Sequence, residues 1–382
     1  MDFTPTEEQK MLADSAERYI RDRYIFEERR QFKNTADGFS REHWSRFAEM
    51  GWLALPISEE DGGLGCDIND VAQLMEQFGY GLVVEPFVDT AILCATIIQY
   101  STDDTLRGLL LEQIITGEKI VALAHQEAHS RNEFDFNVET QATQSGKQWT
   151  LSGTKHRVFY GGGCDTLLVT AVYQGVLQIF AVDRNAKGVD ITSYELLDGS
   201  RGADISFNKA PAKLLVAGDK QCINALEDGF DHAILAMSSA AIGSMEAVMA
   251  LTSEYLKTRV QYGKPLAQFQ ALQHRMSEMF VETDQSRAML SGALAAAQSG
   301  DTAKRKLMVS ELKYLVSGAL YFVTGQGIQL HGGIGTTEEY AVGHHYKGAL
   351  MYEKRFGDAG FHIERASTDI TRQAPLGGAL DA

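Results

Sequence analysis

The chain has few cysteines, no long apolar run and a deficit of positive charge. Its four cysteines, Cys66, Cys94, Cys164 and Cys222, lie far apart. No CxxC and no paired histidine accompanies them, so neither a zinc site nor a disulfide framework is expected, and buried reduced thiols of a cytoplasmic protein fit better. Met1 to Arg21 carries charges early and no apolar core of the signal-peptide kind. No run approaches the ~20 apolar residues of a membrane span, so a soluble protein is expected. Lys and Arg number 35 against 51 Asp and Glu, a net charge of −16. Such an acidic surface disfavours nucleic acid and anionic membrane as partners, while leaving room for one local basic pocket for a phosphorylated ligand. No GxSxG is present, and Cys164 follows glycines without a paired histidine, so no nucleophilic hydrolase is indicated. His331, His344 and His345 have no spaced carboxylate, and the adjacent pair would point about 100° apart on a helix; no metal site is expected. Repeats, low-complexity tracts and long linkers are also absent.

What is present is an ordinary globular composition, 44% hydrophobic and 23% charged over 382 residues, enough for a sizeable core and two or three domains. The chain divides into thirds by pattern. Residues 1–118 read as helical: Pro5 to Arg30 at helix spacing, Arg41 to Met50 behind an N-cap at Ser40, then Asp67 to Phe78, Val88 to Tyr100 and Asp103 to Ile115. Residues 119–222 turn to short β-branched or alternating runs, Ile120–His125, Gln148–Gly153, Thr166–Val172 and Val176–Asp183, separated by glycine turns. An antiparallel sheet or small barrel fits them. Residues 223–382 return to long helices, Ala225–Tyr262, Leu266–Ser299, Thr302–Gly325 and Glu338–Ala366, as in a four-helix bundle. The fold class is α+β, with helix, sheet and helix in order.

Two segments carry chemistry. Arg259-Val-Gln-Tyr262-Gly263-Lys-Pro265-Leu266-Ala-Gln-Phe269-Gln270 joins two long helices, with Gly-Lys-Pro as the break. Arg259 suits the negative end of a helix dipole, and it equally suits a pyrophosphate, with Tyr262 and Phe269 flanking a flat ring. Gln329-Leu330-His331-Gly332-Gly333-Ile-Gly335 reads as a helix C-cap and tight turn, or as backbone opened to a ligand. It follows a helix, so it is no dinucleotide fingerprint. Lys304-Arg305-Lys306 reads as a solvated patch at a helix start that could also meet a phosphate.

These segments resemble two signatures of the acyl-CoA dehydrogenase family. Trp149-Thr-Leu-Ser-Gly153-Thr-Lys155 resembles its W-x-L-N-G-x-K hairpin, and Leu55-Pro-Ile-Ser-Glu-Glu-Asp-Gly62-Gly63-Leu64-Gly65 resembles its glycine loop. The resemblance spans most of the chain. It implies an N-terminal helical domain, a middle β-barrel and a C-terminal four-helix bundle. It implies FAD, an acyl-CoA substrate desaturated between its α and β carbons, and an electron-transfer flavoprotein as redox partner. It also implies that Arg259, Tyr262, Leu266, Phe269, Gln270, Gln329, Leu330 and Gly333 clamp the FAD of a neighbouring subunit.

The chain departs from the family in two places. The late E-G-T motif that carries the catalytic base becomes Phe356-Gly357-Asp358, and phenylalanine takes no proton. A base on the first bundle helix would fall near Ala233, where Asp231 is the nearby carboxylate, short and offset, and otherwise a solvated helix residue. The flavin cradle is altered too: T-E-P-x-A-G-S-D becomes His125-Gln126-Glu127-Ala128-His129-Ser130-Arg131, and Arg157 and Phe159 replace an aromatic and a hydroxyl. The pattern resembles the small, base-less subunit of bacterial heteromeric acyl-CoA dehydrogenases, α2β2 assemblies of fatty-acid or steroid side-chain β-oxidation. A self-sufficient homo-oligomer with another base and a non-catalytic scaffold are the alternatives.

Overall fold

The computed structural model describes residues 5–373. Helices come first: α1 (Glu7–Arg23), α2 (Phe26–Phe32), α3 (Arg41–Glu49), α4 (Ile68–Tyr80), a π-helical stretch Phe87–Cys94 running into α5 (Ala95–Gln99), and α6 (Asp104–Ile115). Ser40 caps α3, its side chain accepting from His43 N at 3.3 Å; Asp103 caps α6 through Leu106 N at 3.0 Å. The single helix expected over 5–30 is two. Tyr24 turns into the core, 4% exposed. Its hydroxyl donates to Glu85 at 2.8 Å and accepts from Val84 N at 3.1 Å, and the chain at Ile25 becomes extended.

The middle forms one sheet of seven strands: β1 (Val121–Ala124), β2 (Gln141–Ser145), β3 (Gln148–Phe159), β4 (Thr166–Tyr173), β5 (Val176–Asp183), β6 (Val189–Glu195) and β7 (Arg201–Ala217). Strands β4, β2, β3, β7 and β5 pair in a closed ring, with β1 added to β4 and β6 to β7. The sheet is not wholly antiparallel as expected. Strands β1 and β2 both run parallel to β4, β1 along Thr166–Val169 and β2 only at Val172. That single pairing closes the ring, so no edge of it stays open.

Five long helices follow: α7 (Asp219–Thr258), α8 (Gln270–Gln298), α9 (Thr302–His331), α10 (Ala341–Lys354) and α11 (Ala359–Gln373). Helices α8, α10 and α11 pack on α9. The expected last helix is broken in two at Arg355–Asp358. Contrary to the sequence expectation, Asp219–Thr258 and Thr302–Thr336 are long and apolar enough to cross a membrane, but 61% and 56% of their most apolar windows are buried in the protein.

Packing groups the chain differently from element type. Among the described residues, one unit comprises 5–20, Ala72–Leu82 and 234–373; the other comprises Arg21–Val71 and Val83–Ala233. In the first unit α4 and α7 meet backbone to backbone: a Cβ on Gly79 would lie 1.8 Å from Ala240 O, and one on Gly243 1.8 Å from Glu76 O. Arg287 of α8 ties this crossing, bonding both Glu76 oxygens at 3.0 and 2.9 Å and also Glu246. In the second unit, Leu151, Leu168, Ile179, Phe180 and Ile205 of the sheet are all fully buried.

Candidate functional site

The segment after α7 is a hairpin. Val260–Gln261 pairs with Lys264–Pro265, and Tyr262 (φ 53°) and Gly263 (φ 77°) form the two-residue turn. Positive φ at both central positions is the geometry that matches strand twist, and it strains a tyrosine. The chain therefore turns at Tyr262–Gly263 rather than at Gly-Lys-Pro. Tyr262 is 91% exposed at the tip. Arg259 is exposed just beyond the C-terminal end of α7, and Leu266 N donates to its carbonyl at 2.9 Å. Leu266 and Phe269 are half-buried and Gln270 is exposed at the start of α8. The rings of Tyr262 and Phe269 meet edge to face at 6.2 Å and 78° and form one aromatic corner. Lys264 Nζ stands 4.2 Å above the Phe269 ring.

At the end of α9, Gln329 and Gly333 are exposed and Leu330 is buried. Gly332 takes φ 63°, ψ −139°, a conformation open to glycine alone. A Cβ on Gly332 or Gly333 would meet nothing within 4 Å, whereas one on Gly335 would lie 2.8 Å from Ile328 O. Gly335 is there for packing; Gly332 and Gly333 present bare backbone to open space. The two segments share one end of the helical unit: the His331 ring lies 4.7 Å from Tyr255, one turn before Arg259, and 4.9 Å from Tyr340. His331 Nδ1 bonds Gly327 O at 2.7 Å. His345 Nδ1 meets Ser244 Oγ at 2.7 Å, and His344 Nε2 meets Glu338 O at 3.1 Å.

The corner at Phe356, where the sequence reading expects a base to be replaced, is a built one. Phe356 is 1% exposed with φ 55°, and Gly357 follows at φ 87°. Lys313 of α9, itself buried, donates to Tyr352 O and sits 4.0 Å above the Tyr352 ring. Tyr352 OH meets Ser238 Oγ at 2.7 Å. His362 Nε2 donates to Phe356 O at 2.7 Å; burial drives this imidazole down to about 3, so it stays neutral. Cations and donors at the end of α10 replace the hydrogen bonds that a continuing helix would make.

The 125–131 loop, expected from the resemblance to be an altered flavin cradle, is closed on itself. Lys155 of β3 is fully buried and donates to His125 O at 3.0 Å, Glu127 Oε1 at 2.7 Å and Thr170 Oγ1 at 3.0 Å. Glu127 also accepts from Glu139 N and from Thr140 N and Oγ1 at 2.7–2.9 Å. Burial alone would raise the Glu127 carboxyl, but Lys155 and the Thr140 donors outweigh it and hold it at about 2. Burial, helped by Lys155, drives His125 down to about 3. His129 and Glu139 bring ligand atoms within 4.8 Å of Glu127, yet both Glu127 oxygens are already engaged by donors. Arg157 sits at a register shift of β3 against β7 with φ 53°. The bulge aims its guanidinium at Gln126 Oε1 (3.1 Å), Glu127 O (3.3 Å) and Ser130 O (2.7 Å). Asp231, taken from the sequence as a solvated residue, has no exposed surface. It follows Phe230, whose ring lies 6.1 Å from His125 and 5.1 Å from Phe134.

The sequence did not point to Lys313, Arg287 or the Lys155–Glu127 pair. The available signal for Lys313 is a lone cation in an apolar helical stretch, Leu312-Lys313-Tyr314-Leu315-Val316.

Models of the acyl-CoA dehydrogenase N-terminal domain and C-terminal domain match residues 6–118 and 223–368. Acryloyl-CoA reductase (NADH) of Anaerotignum propionicum is 25% identical over 95% of this chain and 94% of its own length. One chain of the ChsE4–ChsE5 complex of Mycobacterium tuberculosis superposes with a TM-score of 0.87 at 22% identity, over 99% of this chain and 100% of that one. PigA, solved with FAD and proline, superposes at 0.89 with 20% identity, over 98% and 100%. At these identities the two structures establish the shared fold.

Proposed function

The chain belongs to the acyl-CoA dehydrogenase family, and from that premise we propose that it is the base-less subunit of a heteromeric FAD-dependent acyl-CoA dehydrogenase. A homologous catalytic chain completes an α2β2 assembly, and an electron-transfer flavoprotein takes the electrons. The carrying observation is Phe356, a sealed apolar ring at the position where the resemblance would put the family's carboxylate.

Bound FAD supplies the hydride acceptor for α,β-desaturation of an acyl-CoA thioester. The end of the helical unit fits such a nucleotide: Gly332 and Gly333 leave open space, and Arg259 and Tyr262 are exposed beside a bare backbone turn. In this reading Arg259, Gln329, the Gly333 backbone and the Tyr262–Phe269 corner would hold the pyrophosphate and adenine of the nucleotide. The 125–131 loop fits a flavin ring poorly. Its Glu127 and Ser130 amides and its Arg157 partners are paired within the chain. The partner then provides the proton-abstracting carboxylate and the flavin face.

The test is the flavin-to-chain ratio of the protein alone and with a co-expressed homologous partner. Alone it should purify nearly colourless; the complex should hold one flavin for every two chains and reduce ferrocenium with an acyl-CoA. A full complement of FAD on the isolated chain, with turnover, would overturn the proposal.

The burial of Asp231 favours a second reading, a self-sufficient homo-oligomer with that carboxylate as base. Asp231→Asn should then abolish turnover of the isolated chain; unchanged turnover removes Asp231 from the chemistry.

A further inference from the structure

The unit that carries the barrel contains a cleft of about 360 Å³, within the range of small-ligand sites. One wall is a face of α6. Leu106, Leu109, Leu110 and Gln113 line it, at the i, i+3, i+4, i+7 spacing of a single helix stripe. The opposite wall is the join of three strands, where Thr166 pairs with Asp183 and Ala181 with Lys213. Leu106, Leu110 and Val182 are buried at 6%, 5% and 1% exposure, while Leu109 stays 44% exposed. The helix stripe is therefore wider than the barrel surface that covers it, and the space between remains unfilled.

The rim is cationic. Lys119 and Lys213 line the cleft, and among the described residues neither ammonium is in an ion pair. The cleft's carboxylate, Asp183, turns to its own loop, where Oδ1 accepts from Asn185 N at 2.8 Å. The two lysines put positive charge beside the apolar gap in a chain of net charge −16.

We infer that this cleft binds an aliphatic carboxylate, with its chain between the α6 leucines and the barrel and its head group at Lys119 and Lys213. Apolar burial provides the attraction for the chain. Charge complementarity selects an anionic head over a neutral one. The inference is independent of the proposed subunit role, since none of the clamp residues lines the cleft.

Calorimetric titration of the full chain with decanoate, and separately with decanol, tests it. One saturable decanoate site is expected, with decanol bound at least about tenfold more weakly. The double variant Lys119→Ala/Lys213→Ala should lose about tenfold for decanoate and nothing for decanol. Leu109→Trp, at an exposed position that tolerates the larger ring, should block both ligands. All variants should leave the flavin content of the complex unchanged. No saturable binding, binding indifferent to Leu109→Trp, or equal affinity for acid and alcohol would each sink the inference.

Discussion

Glu85 shows how far a single side chain is set by its surroundings. It lies at 4% exposure, accepts from Tyr24 OH at 2.8 Å and Ser40 N at 3.2 Å, and burial pushes its carboxyl up to about 7. An unfolded glutamate titrates near 4.5. Between these values the folded state holds the proton more tightly, so stability falls as pH rises from about 4.5 to about 7 and levels off above. The loss across that window is at most about 3 kcal/mol. Glu85→Gln should flatten this slope, and denaturant unfolding at pH 5 and pH 8 measures it; a wild-type protein equally stable at both would contradict it. Glu127 works in the opposite sense. Its carboxyl is held at about 2, so its contribution is present above about 4.5 and lost as pH falls towards 2. Neither role is legible in the sequence, because a glutamate in Val-Glu-Pro or His-Gln-Glu carries no sign of what will fold over it.

Among elements, the crossing of α4 and α7 is the least tolerant. A methyl at Gly243 has no space beside Glu76 O, and both partners are backbone. Gly243→Ala should therefore cost roughly 3 kcal/mol. Gly318 of α9 is the control: a Cβ there meets nothing within 4 Å, so Gly318→Ala should stabilise by up to about 1 kcal/mol through helix propensity. Thermal melts of the two variants should move in opposite directions. The small residues of α7 made this long helix legible in the sequence, as the alternating apolar runs did for β3, β4 and β5. Strands β2 and β6 escaped because most of their residues are half-buried or exposed and polar. Strand β7 runs through Asn208-Lys209 and Pro211, which read as loop. The break between α10 and α11 escaped because Lys313 and His362, distant in sequence or on the next helix, supply the groups that hold Tyr352 O and Phe356 O.

At the scale of the whole molecule, two arginines divide the proposed labour, and the chain's family was legible because its motifs are spread from Leu55 to Gly335. The motif text alone could not say what Arg157 does, since that depends on a bulge in β3 and a loop returning beneath it. Arg157 satisfies carbonyls of its own chain, whereas Arg259 is exposed at a helix end beside open glycine backbone. The two should separate cleanly by experiment. Arg259→Ala in the co-expressed complex should weaken FAD binding about ten- to a hundredfold, the loss of a charge-assisted phosphate contact, while the melting temperature of the isolated chain stays the same. Arg157→Ala should lower the stability of the isolated chain by about 1–2 kcal/mol, because carbonyls of the 126–130 loop lose their donor, while the flavin content of the complex stays the same. Flavin titration of the complex and unfolding of the isolated chain give both values. If flavin content follows Arg157 instead, the cradle belongs to a working site of this chain and the division between subunits fails.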